Sequence, residues 1–135
     1  MDGIVRALHR TEGWSVVEAE RGVDEFGKFL GLCSNRRGRL SPSRRLDAVW
    51  HAFLEQPERY REFSLAACGR VVGHAPGVPN RARYELARQL MTERYGAVDD
   101  QFWPNPDAAA AGVADVVAHC TADNAPPPPP PGRRS

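Results

Sequence analysis

Apolar residues recur at helical spacing over most of this chain, and the pattern breaks where start and stop signals stand. Ala19, Val23, Phe26, Leu30 and Cys33 follow one another at steps of four, three, four and three. That spacing puts them on one face of an amphipathic helix, widened by Phe29. Ser15 with Glu18 three residues later forms a capping-box pattern, and Trp14 before it is a candidate staple residue. Gly22 and Gly27 lie inside the helix and each weaken it by about 1 kcal/mol relative to Ala. Its end is expected near Ser34-Asn35. A shorter lead-in helix is expected within residues 1–12, around Ile4, Val5 and Leu8.

The stretch from Ser41 to Leu54 organises the rest. Ser41 is the expected cap and Pro42 suits a first helical turn, where its missing N–H costs nothing. Leu46, Val49, Trp50, Phe53 and Leu54 then follow at helical spacing. Pro57 starts the next helix, with Glu58 near its positive end, and Tyr60, Phe63 and Ala67 share a face up to Gly69. Residues 70–79, with two glycines and two prolines, read as an extended loop. Asn80 caps a further helix striped by Tyr84, Ala87, Met91 and Tyr95, and Gly96 stops it. Phe102-Trp103-Pro104 reads as an aromatic anchor that packs back on the bundle, and residues 107–119 as a final short helix.

These elements predict an all-α fold, a small bundle of four to five helices. They form one domain over residues 1–120, with its core at about 10–105. A disordered tail at 121–135 carries the polyproline run Pro126 to Pro131, which favours an extended PPII conformation. Pro128-Pro129-Pro130-Pro131-Gly132-Arg133 matches a PxxPxR ligand pattern, but a low-complexity tail explains it more simply.

Composition narrows the function classes. A formal charge of +1 over 135 residues gives no global reason to expect nucleic acid or a membrane surface. Arg36, Arg37, Arg39, Arg44 and Arg45 cluster, but no aromatic residue is interleaved, and cations at a helix N-terminus oppose the macrodipole. They are expected to point into solvent. Three cysteines, Cys33, Cys68 and Cys120, at wide spacing and without CxxC, fit a reducing compartment. With no leader-like apolar segment after Met1 and no run of about 18 apolar residues, the expected setting is the cytoplasm. The near-exclusive use of Arg over Lys suggests a high-GC, bacterial genome.

The run Ser41-Pro42-Ser43, Leu46-Asp47, Val49 to Leu54, Tyr60, Phe63, Cys68-Gly69-Arg70 and His74-Ala75-Pro76 resembles the conserved block of the glycine-rich domain-containing protein-like family. Small bacterial relatives carry an Asp-x-x-Trp-His helix, a Tyr/Phe helix ending before Gly, and a His-x-Pro loop. The resemblance covers about residues 40–79, with an echo at Tyr95-Gly96 and Trp103-Pro104. It implies importance for Asp47, Trp50, His51 and His74, with Tyr60, Cys68 and Pro76 completing the motif. It implies no reaction. This chain departs from it at Phe53, where many relatives carry a second His, and in its proline-rich rather than glycine-rich tail.

Asp47 and His51, four apart, sit one above the other on a helix, about 5–6 Å apart at Cβ. With His74 from the following loop they can chelate a divalent metal. Zinc commonly takes three protein ligands plus water, and two His with one carboxylate also suit ferrous iron. Cys68 or Cys120 can close such a site with a fourth ligand. The same residues can instead form a buried polar staple that fixes the loop on the bundle. The leading reading is a non-enzymatic interaction or accessory module with a structural Asp/His cluster, working with a protein partner as a monomer or homodimer. A metal-binding protein, hydrolase-like in the extreme, is the alternative. No nucleophile elbow surrounds Ser41 or Ser43, and no phosphate-binding loop exists. Cys33 lies on an apolar stripe and reads as core, whereas His9 and His119 read as solvated.

Overall fold

Local capping chemistry explains where each helix begins. The computed structural model describes residues 2–34, 39–107 and 116–123. Helix α1 (Gly3–Glu12) starts where the Asp2 carboxylate accepts from Ile4 N at 2.7 Å, and ends at Gly13, whose positive φ of 72° suits a residue without Cβ. Helix α2 (Val16–Cys33) starts with the expected cap, Ser15 Oγ accepting from Glu18 N at 3.1 Å. Helix α4 (Pro57–Cys68) has its proline in the first turn and ends at Gly69, and α5 (Arg81–Tyr95) is capped by Asn80. Among the described residues no helix is long and apolar enough to cross a membrane.

Helix α3 (Arg44–Leu54) corrects one expectation. Its cap is Ser43, which accepts from Leu46 N at 3.1 Å, not Ser41. Ser41 and Pro42 stay outside the helix, where the backbone next to Ser41 is engaged elsewhere. The Pro42 carbonyl accepts from Ala118 N at 3.1 Å, and Ser43 forms an antiparallel bridge with Val117.

Helix α2 is central and touches each of the other four helices among the described residues. Its apolar face carries Phe26, which packs against Phe29, Trp50, Phe53 and Phe63 at ring-centroid distances of 5.6–6.4 Å. Gly22 serves this packing: a Cβ there would meet ring atoms of Phe102 and Trp14 at 3.1 Å, so any larger residue would have to push these rings outward. Phe102 and Trp103 are fully buried, as expected of an anchor, and Trp103 stacks on Tyr84 at 5.8 Å. The α5 stripe ends one member early, because Tyr95 lies at the last residue of the helix and is 42% exposed.

The all-α expectation holds. The one addition among the described residues is a two-stranded antiparallel ribbon, β1 (Gly73–Pro76) with β2 (Cys120–Asp123). Two assignments are corrected by it. The segment expected as a loop contains β1, and Thr121 to Asp123, expected in the tail, belong to the fold. Glycine and proline exclude a helix here but not a short edge pairing, and Pro76 sits at the end of the strand, where its missing N–H does little harm. The segment around β2 also bonds the chain before α3, with Ala122 N donating to Leu40 O at 2.8 Å. It therefore runs between Leu40–Ser43 on one side and β1 on the other.

The core is accordingly wider than residues 10–105. Ile4, Leu8, Val116, Val117 and Ala122 are all buried in it. The expected helix at 107–119 lies largely outside the described residues, as do the proline-rich run and Arg36 and Arg37. Arg45 does not point freely into solvent as expected. Its guanidinium lies 4.6 Å from the Trp14 ring centre and pairs with Glu18 at 3.2 Å, so its stem and plane cover the edge of the core.

Candidate metal centre

Helix α3 buries Leu46, Val49, Trp50 and Phe53 in the aromatic core. The same 3.6-residue period turns Asp47 and His51 onto an adjoining face, which the ribbon covers. His51 Nε2 stands 3.2 Å from Asp47 Oδ2. His74, on β1, brings its Nε2 to 3.5 Å from Asp47 Oδ1. Its ring packs edge-on against Trp50, with centroids 4.6 Å apart, and against His51 at 5.0 Å.

The ribbon contributes a fourth residue. His74 pairs with Ala122 and Pro76 with Cys120, and alternate residues of a strand share a face. Cys120 and His74 therefore project to the same side, toward α3. Cys120 Sγ lies 3.9 Å from His51 Nε2, and the donor atoms of Asp47, His51, His74 and Cys120 all lie within 4.8 Å of one another. The structure thus brings together the three residues singled out from the sequence and selects Cys120 over Cys68 as their companion. Cys68 instead donates toward the Ser64 and Arg70 carbonyls at the end of α4. No local signal in the sequence could make that choice, because it depends on the pairing of β1 with β2.

Burial across the group is uneven. The side chains of Asp47 and His74 are each 13% exposed, whereas that of His51 is 55% exposed. Cys120 is buried. Burial pushes the Cys120 thiol up to about 11, helped by the negative charge of Asp47 and a hydrogen bond to it. Without a cation the thiol is therefore neutral at pH 7. A bound cation would reverse that electrostatic balance and favour the thiolate.

Two atoms at the centre of the group lack hydrogen bonds. Asp47 Oδ1 and His74 Nε2 are fully buried, and although they face each other across 3.5 Å, neither makes a bond of acceptable geometry. A tetrahedral ion with bonds of about 2.0–2.3 Å has donor–donor edges of about 3.3–3.8 Å. The separations of 3.2 Å from His51 to Asp47 Oδ2, 3.5 Å from His74 to Asp47 Oδ1 and 3.9 Å between Cys120 and His51, with all four donors inside 4.8 Å, lie within a modest side-chain adjustment of such edges. Two imidazoles, one carboxylate and one thiol fit a divalent metal both in spacing and in donor chemistry, and the sulfur favours zinc over ferrous iron.

The remaining motif residues frame the group. Trp50 Nε1 donates to Tyr60 Oη at 3.1 Å, and Tyr60 donates to the Val72 carbonyl just before β1. Pro76 lies opposite Cys120 in the ribbon. Of the other histidines, His9 is exposed but has Nδ1 bonded to the Trp14 carbonyl at 2.8 Å, and His119 is exposed. No protein-family model, curated protein or solved structure matches this chain.

Proposed function

We propose that this protein binds one divalent metal ion, zinc before iron, through Asp47, His51, His74 and Cys120. The observation that carries the reading is the pair of buried donors without a hydrogen bond, Asp47 Oδ1 and His74 Nε2, within a group of four donors that all lie within 4.8 Å of one another. The residues would tie three segments together: α3 through Asp47 and His51, β1 through His74, and β2 through Cys120. Four protein ligands and no obvious nucleophile favour a structural, non-enzymatic role, in keeping with an accessory or interaction module. Kinship with the glycine-rich domain-containing protein-like family belongs to the same proposal. It is supported by Asp47, Trp50, His51 and His74, the residues that carry the resemblance, gathering at one place.

A purely structural Asp/His staple is the second reading, favoured by the 3.2 Å separation of His51 and Asp47. Metal analysis of purified protein, followed by titration of the metal-free form with Zn²⁺ or Co²⁺, separates the two. The expected result is one equivalent of metal per chain, retained far less well by His74→Ala and Cys120→Ser than by His119→Ala. Absence of stoichiometric Zn, Fe, Mn or Ni, together with no binding on addition, would leave the staple and overturn the metal reading.

A further inference from the structure

The exposure of the four ligands is lopsided, and the exposed one faces a cleft. A cavity of about 360 Å³ opens between α1 and α3 and is lined in part by Thr11, Glu12, Arg44, Asp47, His51 and Glu55. That volume falls within the range of small-ligand sites. His74 and Cys120 do not line it. His74 is closed off by Trp50, edge-on at 4.6 Å, and Cys120 by the strand pairing of the ribbon. Among the described residues, the ligand that opens most widely to solvent is His51, and it lines this cleft.

We infer that this cleft is a ligand port, through which a small neutral nitrogen donor reaches the metal by displacing His51. The inference rests on the metal reading above. The step is a substitution: the bond from metal to His51 Nε2 breaks, a bond from metal to the incoming nitrogen forms, and no electron or proton changes hands. His51 can swing away at little cost because more than half of its side chain already lies in solvent, whereas Asp47, His74 and Cys120 are held by packing. The charge of the port selects the class of ligand. With Asp47 engaged by the metal, Glu12 and Glu55 still outnumber Arg44, so the rest of the lining is formally negative and disfavours anionic donors relative to neutral ones. Imidazole is the natural probe, since it reproduces the donor it replaces.

The test uses full-length protein loaded with Co²⁺, whose visible spectrum reports the ligand set. His51→Ala is expected to keep one cobalt and to bind imidazole saturably, with acetate weaker by about tenfold or more. In His74→Ala, imidazole is expected to restore nothing, because that position has no opening. Rescue of both variants alike, no response of His51→Ala to imidazole, or acetate binding as tightly as imidazole each overturns the port. If His51→Ala does not hold cobalt, Thr11→Trp supplies the test, since it narrows the cleft without removing a donor. It is expected to slow removal of metal by 1,10-phenanthroline severalfold, and an unchanged rate overturns the inference. Failure of the wild type to bind any metal overturns the metal reading and the port together. Binding in the wild type without these effects overturns the port alone.

Discussion

Trp50 and Asp47 stand three residues apart on α3, and each carries a polar group into the interior with a different outcome. The Trp50 N–H meets Tyr60 Oη, and the Tyr60 hydroxyl meets the Val72 carbonyl, so every group in that chain of bonds has a partner. Asp47 brings one oxygen to the half-exposed His51 and the other to within 3.5 Å of the largely buried His74, where no hydrogen bond of good geometry forms. Both sets join helix to the segment around β1. The first is a closed account of donors and acceptors and needs nothing further to be stable. The second is short of a group that would engage the carboxylate and both imidazoles at once, which is what a cation does. The comparison teaches that what separates these two networks is satisfaction together with donor type: the first is closed, and the second leaves a carboxylate oxygen and an imidazole nitrogen without hydrogen bonds side by side.

The contrast can be broken or sharpened by four measurements. The largest effect is expected from Trp50→Ala, which removes a fully buried indole between Phe26, Phe29 and His74. It should cost about 3–5 kcal/mol by chemical denaturation, with or without metal. Next, zinc at about a hundredfold over its dissociation constant should stabilise the wild type by about 2.7 kcal/mol, reversibly on chelation. The gain should vanish in Cys120→Ser, and a gain that persists there would move the site elsewhere.

Tyr60→Phe should cost about 1–3 kcal/mol, because it strands the Trp50 N–H and the Val72 carbonyl. Tyr60 also carries a pH signature. Burial raises its phenol from 10.0 to about 12, so the folded state holds that proton more tightly than the unfolded chain does. Its contribution is full below pH 10 and is lost as pH rises through about 12. Denaturation midpoints across that window should fall in the wild type and fall less in Tyr60→Phe. The smallest effect is expected from Asp47→Asn in metal-free protein. The half-exposed i,i+4 pair with His51 contributes only about 0.3–0.5 kcal/mol, and Oδ1 meets His74 at 3.5 Å without a hydrogen bond of good geometry. The same substitution should abolish the response to zinc. A loss comparable to that of Tyr60→Phe would instead mark the cluster as a saturated staple.

Much of the fold was legible in the residues. The Ser15 capping box, the Pro57 start and the Gly69 stop act within one turn of chain, and the apolar period of α2 and α3 names the faces that became core. The cap of α3 was misplaced by two residues because Ser41 and Ser43 are both acceptable locally. The choice was made by Ala118 and Val117, which claim the backbone beside Ser41. Of the candidate site, Asp47 and His51 were readable as a pair because helical geometry is periodic. His74 was nameable only as a residue able to fold back.

By itself the sequence determined the helices, their buried faces, the aromatic anchor at Phe102-Trp103 and the pairing of Asp47 with His51. All of these follow from interactions between near neighbours or from burying a periodic stripe. Tertiary structure alone decided that β1 pairs with β2, that Cys120 rather than Cys68 joins the histidines, and that His51 is the ligand left facing a cleft. Those outcomes rest on two four-residue strands too short to carry a periodic signal. Their register exists only once two segments far apart in sequence meet across the face of α3.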